Sequence, residues 1–325
     1  MANYSRYQNT SVFNQTETLF TNCYYPHDSG VLVLLFGVLV SLAGVLGNIT
    51  VCLVFFATPS LRTCSRFIVV NLCVADFLTS AFGVPLEVAW VYLRSVYKAC
   101  LSEELLYARR CVISFSSAAS LLTLGLVSIE RFIVIFWPLK HKDIISTPRC
   151  VVLMSLGWFG CIIYGIFAGF ESHRKETSIF AVAATIHCFL LVLVCYSCIF
   201  LRILRQNKIR VSLNVHQNHL HSLEKKMSTT LALIIVVYGI CYLPYTVVRL
   251  TQQMNKPERE WFLILALSHS AFDPFIYFFR SGEYRKAYVE ILHKIFPKRN
   301  RVNFESNDLQ IPKPAVSTRA KQEPN

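Results

Sequence analysis

Long stretches without charge recur along this chain, and they constrain its fold more than any other feature. A bilayer core takes about 20 consecutive apolar residues per helix. Seven stretches meet that need, one inside Ser29–Leu61 and then Phe67–Leu93, Cys111–Ile129, Cys150–Phe170, Thr177–Leu201, Met227–Val248 and Trp261–Phe279. Helices that pack in water keep a polar face, and these mostly have none. Composition agrees: 54% of residues are hydrophobic and 16% charged, against about 45–50% and about 25% in a soluble domain. Disordered, collagenous and soluble nucleic-acid-binding chains are excluded, and 12 cysteines are too sparse for a small disulfide scaffold. The expected fold class is an all-α membrane protein. A tail over residues 1–28 precedes a seven-transmembrane helix bundle over 29–280. A short amphipathic membrane-surface helix over 281–296 and a polar, disordered tail over 297–325 follow.

Orientation follows from the basic residues, which favour the cytoplasmic side of a membrane. With the N-terminus outside, 22 of the 32 Lys and Arg fall inside, so the net charge of +13 reflects topology rather than nucleic acid. Residues 1–28 lack a basic start followed by an apolar run, so the first span is expected to insert by itself. Asn3, Asn9 and Asn14 each begin an Asn-x-Ser/Thr sequon in the tail expected outside. Asn48 also begins one, but inside the first span, where no glycan is added. The surface helix rests on Tyr284, Tyr288, Ile291, Leu292 and Ile295, which share one face.

Ionisable groups inside a span are costly and usually functional. Asp76 and Glu87 lie eleven residues apart in the second span, which in a regular α-helix returns to nearly the same face. Ser120 and Arg131 share that spacing in the third, and Ser270, Asp273 and Tyr277 share a face of the seventh. The pattern predicts a polar seam through the bundle, with interhelical hydrogen bonding as the alternative role for its serines. Arg131 at a helix end needs a partner, and Glu224 just before the sixth span is a candidate across the bundle. Pro244 removes a backbone hydrogen bond midway along the sixth span and bends it.

These residues carry motifs. Gly47-Asn48, Leu72-Cys-Val-Ala-Asp76, Glu130-Arg131-Phe132, Trp158, Tyr196, Cys241-Tyr-Leu-Pro244 and Asp273-Pro274-Phe-Ile-Tyr277 fall in seven consecutive spans. Over residues 30 to 296 the chain resembles the rhodopsin-like (class A) G-protein-coupled receptors. The resemblance implies that Arg131 is the switch arginine, held at rest by Glu130 and Glu224. It makes Pro244 the hinge, has Tyr277 beside Asp273-Pro274 swing inward, and places Pro138-Leu139 against the G protein. It also implies a sodium pocket of Asn48, Asp76, Ser120, Ser270 and Asp273, with no other metal and no organic cofactor. The partners implied are an extracellular ligand, a heterotrimeric G protein and membrane lipids, at the plasma membrane.

Departures from the pattern matter as much. The usual cysteine 25 residues before Arg131 is Leu106, and the second outer loop, near Glu171 to Glu176, has no Cys. Cys188 replaces the proline of the fifth span, and Tyr242 and Tyr238 replace the tryptophan and phenylalanine of the sixth. These features resemble, in part, the melanocortin-like and lipid-receptor branches. Ile113 stands where amine receptors carry an aspartate, and the seventh span holds no lysine for retinal. Glu87, Trp90, Ile113, Ser114, Ser117, His187, Tyr242, Tyr245 and Arg249 are expected to face the outer half of the bundle as a ligand pocket. For the Tyr stripe of the sixth span core packing is the alternative, and for His187 a buried, satisfied histidine. A Cys23–Cys100 disulfide is expected partly to replace the missing outer tether, with Cys111 the weaker partner and three free thiols as the alternative.

The leading function is a receptor without catalytic chemistry of its own, since nucleophile, zinc and phosphate-loop signatures are absent. A seven-helix transporter using Asp76, Glu87 and Asp273 is the alternative; it predicts flux without a G protein, and inverted repeats. A third reading is a receptor-like chain that signals constitutively or only pairs with other receptors. G-protein recruitment with and without ligands separates the three.

Overall fold

The computed structural model describes residues 25–59, 63–99, 102–170, 172, 174–212, 219–251 and 258–295. Asn3, Asn9, Asn14, Cys23 and Cys100 lie outside them. Glu224 lies in a described helix, but its side chain is not among those described.

Seven helices are long and apolar enough to cross a membrane: His27–Ala57, Ser65–Tyr97, Glu103–Phe136, Thr147–Gly169, Lys175–Gln206, Ser228–Leu250 and Glu258–Arg280. Their placement follows from how much of each is covered. The most apolar windows of the second and seventh spans are 61% buried and those of the fourth and fifth 22%, so the former are interior and the latter present Leu153, Leu156, Phe159, Leu190 and Leu193 to lipid. The third span is the pillar. It packs on the second, fourth and fifth. Ser102 caps its N-terminus by accepting from the Leu105 N–H at 3.4 Å, and Glu103 and Glu104 complement the dipole of its first turn.

The first span reaches the second through small residues. Gly30, Gly37 and Gly44 recur every seven residues on its buried face. A Cβ on Gly44 would fall 2.7 Å from Ser80 Cβ, so only glycine allows this approach.

The second span is not a regular α-helix. Pro85 has no N–H to give to the preceding turn, and its ring would crowd that turn's carbonyl. The helix widens into a π turn over Thr79–Gly83, and again over Leu93–Tyr97. A π turn takes up about one extra residue, so everything beyond it is rotated from the α register. Pro244 sits inside the sixth span. In the seventh, the helix pauses at Ser268, whose N–H is shared between Ile264 and Leu265 carbonyls at 3.0 and 3.1 Å. It resumes as His269–Arg280 with Pro274 inside.

A helix over Gly282–Ile295 follows. Tyr284 and Ala287 are buried against Val51, Val54 and Phe55 of the first span, with Tyr288 and Ile291 alongside. Arg66 of the second span pairs with Glu283 at its start. Part of the apolar face expected on the leaflet is therefore packed on the bundle. The fourth span ends at Gly169 and the fifth begins its helix at Arg174, so the connection between them is short.

Candidate functional site

The residues singled out in the sequence gather in four places along the bundle axis. The outermost is a buried ionic cluster. The Glu87 carboxylate accepts from Arg109 Nε at 2.8 Å and from a second Arg109 nitrogen. Arg109 also lies 3.5 Å from Glu260 Oε2. The other Glu260 oxygen meets Arg94 at 3.4 Å and Arg259 and Trp90 Nε1, both at 3.3 Å. The Trp90 ring lies beneath two guanidinium groups, Arg94 at 4.8 Å and Arg109 at 5.4 Å. Glu87, Arg109 and Glu260 are 0%, 5% and 2% exposed. Just outside the spans, burial and then nearby Glu260 hold the Tyr25 hydroxyl above its ordinary range, so it stays neutral.

Glu87 and Trp90 are thus engaged between the second, third and seventh spans and do not line the cavity described next. The reason is local. The π turn over Thr79–Gly83 breaks the eleven-residue phase that put Glu87 on Asp76's face. Sequence reasoning also passed over Arg109, Glu260, Arg94 and Arg259. The available signal was Glu87 itself, because a carboxylate deep in a span needs a cation nearby.

A cavity of about 540 Å³ lies between the third, fourth, fifth and sixth spans, in the range of ordinary ligand sites. Ile113, Ser114 and Ser117 line it from the third span, and Tyr242, Tyr245 and Arg249 from the sixth. His187 lines it from the fifth and is exposed rather than buried. Below that polar end the walls are apolar down to Leu126 and Ile129. The Tyr stripe does two jobs. Tyr238 and Tyr242 stack at 4.9 Å in the core, and Tyr242 and Tyr245 also face the cavity.

Beneath lies the polar core, where Asn48, Asp76, Ser120, Ser270 and Asp273 are all fully buried. Ser120 donates to Asp76 Oδ1 at 2.9 Å, and Asn48 Nδ2 to the Ser270 carbonyl at 2.8 Å. Ser80 donates to Ser270 Oγ at 2.8 Å. Asp273 is close enough to Asp76 for their charges to interact. Asp76 Oδ2, both Asp273 oxygens and Asn48 Oδ1 receive no hydrogen bond from the protein. His269 was not singled out in the sequence. Its Nδ1 lies 2.6 Å from the Ala266 carbonyl and must donate there, which turns Nε2 toward Asp76 Oδ1 at 3.4 Å. So many acceptors need a cation or a proton among them. Among the described residues no group of three or more His, Cys, Asp and Glu could hold a metal ion. The donors here are mixed carboxylate, amide and hydroxyl oxygens, which suit a hard cation.

At the cytoplasmic end Arg131 is 2% exposed. Its guanidinium is held by the Glu130 carboxylate and by Ser65 Oγ at the start of the second span. Tyr196 and Tyr277 turn buried hydroxyls without partners into this half of the bundle. Trp158 Nε1 donates to Asn71 Oδ1, and Asn71 Nδ2 to Thr123, each at 2.8 Å, tying the second, third and fourth spans. Pro138 and Leu139 follow the third span in an exposed turn, Leu139 95% bare. Cys188 Sγ lies 3.4 Å from the Leu121 carbonyl. Cys111 is a free thiol within the third span.

Comparisons with known proteins bear on this arrangement. Residues 47–277 match the family described as 7 transmembrane receptor (rhodopsin family). Among similar proteins, the RYamide receptor of Drosophila melanogaster is 23% identical, the match covering 86% of this chain and 66% of that receptor. The allatostatin-A receptor of Bombyx mori is 24% identical over 84% of this chain and 86% of its own length. Neuromedin-U receptor 2 of Mus musculus is 25% identical over 78% and 73%. With the family match spanning all seven helices' motif positions from Gly47 to Tyr277, the chain belongs to the seven-transmembrane receptors of the rhodopsin family.

Proposed function

We propose that this multi-pass membrane protein sits in the plasma membrane, N-terminus outside, and transmits ligand binding in the outer half of the bundle to a heterotrimeric G protein inside. The observation that carries the reading is Arg131. A guanidinium buried against Glu130 and Ser65 at the cytoplasmic end is an interaction that a partner can compete for. Release costs little if the arginine gains another partner, so the pair can act as a latch between two arrangements. Glu224 at the start of the sixth span would supply the second half of that latch. Pro244 provides the place where the sixth span bends, so that its inner half swings out and opens a cleft beside Pro138 and Leu139. Leu139, nearly bare in water, supports that docking role.

The unpartnered oxygens of Asn48, Asp76 and Asp273, with Ser120 and Ser270 beside them, fit a sodium ion. Its single charge would offset one of the two carboxylates, and a proton shared on the pair would offset the other. Loss of that balance on activation would couple the core to the latch. Glycans at Asn3, Asn9 and Asn14 accord with an external tail and are checked by glycosidase digestion of the cell-surface protein.

The relatives' names refer to different ligands, so the similarity fixes the class of protein and not what it binds. The test of the receptor reading is guanine-nucleotide exchange. Full-length protein in nanodiscs is expected to accelerate exchange on at least one G-protein subtype, and Arg131→Ala to abolish it. Ion or solute flux in liposomes without a G-protein effect would favour the transporter reading instead.

A further inference from the structure

The cavity between the third and sixth spans is unequal at its two ends. Its outer end gathers Arg249, Tyr245, Tyr242, Tyr164 and Ser114. Arg249 lies over the Tyr245 ring, its guanidinium carbon 5.4 Å from the ring centroid. Its Nε is buried without a hydrogen-bond partner. No described carboxylate lies within ion-pair distance of it, although the ionic cluster nearby satisfies four other arginine–carboxylate contacts. The other end is different in kind. From Ser117 to Ile129 the third span offers a wall about 18 Å long, and beyond Ser117 its lining there is Leu, Ala, Gly and Ile.

The cavity is also open on one side. Gly160 on the fourth span, Phe180 and His187 on the fifth, and Ile129 on the third line it and are exposed. All four lie inside membrane spans, so the side they leave open faces hydrocarbon rather than water. A Cβ on Gly160 would meet nothing within 4 Å. Beside Gly160, therefore, the fourth and fifth spans do not close on each other.

One cation without a described carboxylate at the polar end, an apolar channel about 18 Å long and a mouth onto lipid define a ligand chemistry. We propose that the cavity takes a single-chain amphiphile with an anionic head. It enters sideways from the bilayer, sets its head on Arg249 and the tyrosines, and lays its tail along the third span between the fourth and fifth. A charged head alone would leave the apolar channel unfilled. A neutral lipid would leave the half-buried Arg249 facing tyrosines, with no anion to meet its charge. Carboxylate and phosphate heads share this chemistry, and the experiment separates them. The assignment rests on the receptor reading for its signalling consequence, and the measurement keeps binding apart from signalling.

The test uses the full chain in phosphatidylcholine nanodiscs, with empty nanodiscs as the partition blank. Radiolabelled oleate, oleoyl lysophosphatidate and monoolein are bound in parallel, and the oleate and lysophosphatidate arms identify the head. Saturable binding of at least one anionic lipid above the blank, and none of monoolein, is expected. Arg249→Gln should weaken it by about tenfold or more, because a charge-assisted contact is lost. Gly160→Phe should weaken it as well while leaving the head contact intact, and the open space at that position lets the variant fold. Equal binding of monoolein, no saturable binding above the blank, or affinities unchanged in either variant would overturn the proposal. Nucleotide exchange is measured in the same discs. Exchange in discs that bind neither acid removes the amphiphile and leaves the receptor reading standing.

Discussion

Replacing Arg109 by methionine should destabilise the bundle far more than removing a surface charge. An exposed ion pair is worth about 0–1 kcal/mol. Arg109 is 5% exposed and grips a Glu87 that is 0% exposed. Glu87 accepts from Nε at 2.8 Å and from a second nitrogen of the same guanidinium, and no other described cation forms an ion pair with it. Glu260 is better insured, since Arg94 and Arg259 remain at 3.4 and 3.3 Å. Arg109→Met therefore strands one buried carboxylate, a loss of about 3–5 kcal/mol. At about 2–4 °C per kcal/mol, the apparent midpoint should fall by roughly 6 °C or more. The assay is thermal unfolding of purified protein in detergent, at one scan rate because such unfolding is often irreversible. Two companions make it decisive. Arg109→Met with Glu87→Met removes both charges and should recover most of the loss, because a buried pair replaced by apolar groups is close to neutral. Arg109→Lys keeps the charge but not the two-pronged grip and should fall between. Raising salt from 0.1 to 1 M, an order-of-magnitude change in ionic strength, should alter none of this, since buried pairs are little screened. An Arg109→Met midpoint within about 2 °C of wild type, or a double variant as unstable as the single, would refute the reasoning.

Other outcomes follow from the same geometry. Gly44→Val should wedge the first and second spans apart at Ser80 and sharply lower the folded yield, read by fluorescence-detected size exclusion; Gly160→Ala, with open space around it, should not. Glu224→Ala should raise basal nucleotide exchange at equal surface expression, and unchanged basal exchange would remove the latch. Asp76→Asn should abolish any sodium dependence of ligand affinity, and an affinity indifferent to both sodium and this substitution would remove the cation from the polar core. Leu139→Asp should weaken G-protein recruitment several-fold without changing ligand binding, and recruitment at the wild-type level would take Leu139 off the docking surface.

The spans were legible because a helix in lipid must be apolar all round for about 20 residues, a signal that no local rule obscures. The polar core was legible for the converse reason. Asp76 and Asp273 are conspicuous because their surroundings are apolar, and the structure buries both with Asn48, Ser120 and Ser270. Two things escaped. His269 looks ordinary among serines and leucines, and only the Ala266 carbonyl that takes its Nδ1 hydrogen turns the other nitrogen to Asp76. The cluster around Glu87 escaped because Arg94, Arg109, Arg259 and Glu260 come from span ends, where charge is expected on topological grounds alone. Pro85 was the missed clue to the facing of Glu87. A proline inside an apolar helix warns that phase arithmetic across it fails, and the π turn ahead of it moved Glu87 away from the cavity.

The departures from the family pattern also fit together. The usual outer bridge fastens the third span to a long second outer loop. Here the fourth span ends at Gly169 and the fifth begins at Arg174, so there is little loop to fasten and little closure entropy for a bridge to remove. What the bridge would have held, the outer end of the third span, is held by Arg109 between Glu87 of the second and Glu260 of the seventh. That fastening differs from a disulfide in where it sits. It fills the space between the second, third and seventh spans with paired charge and the Trp90 ring, which leaves the room for a ligand on the opposite side of the third span. There the walls are the fourth and fifth spans, the most lipid-exposed of the bundle along with the first, and Cys188 takes the place of the proline that would have bent the fifth. An anchored outer mouth and a mouth open to lipid are thus two results of one rearrangement around the third span.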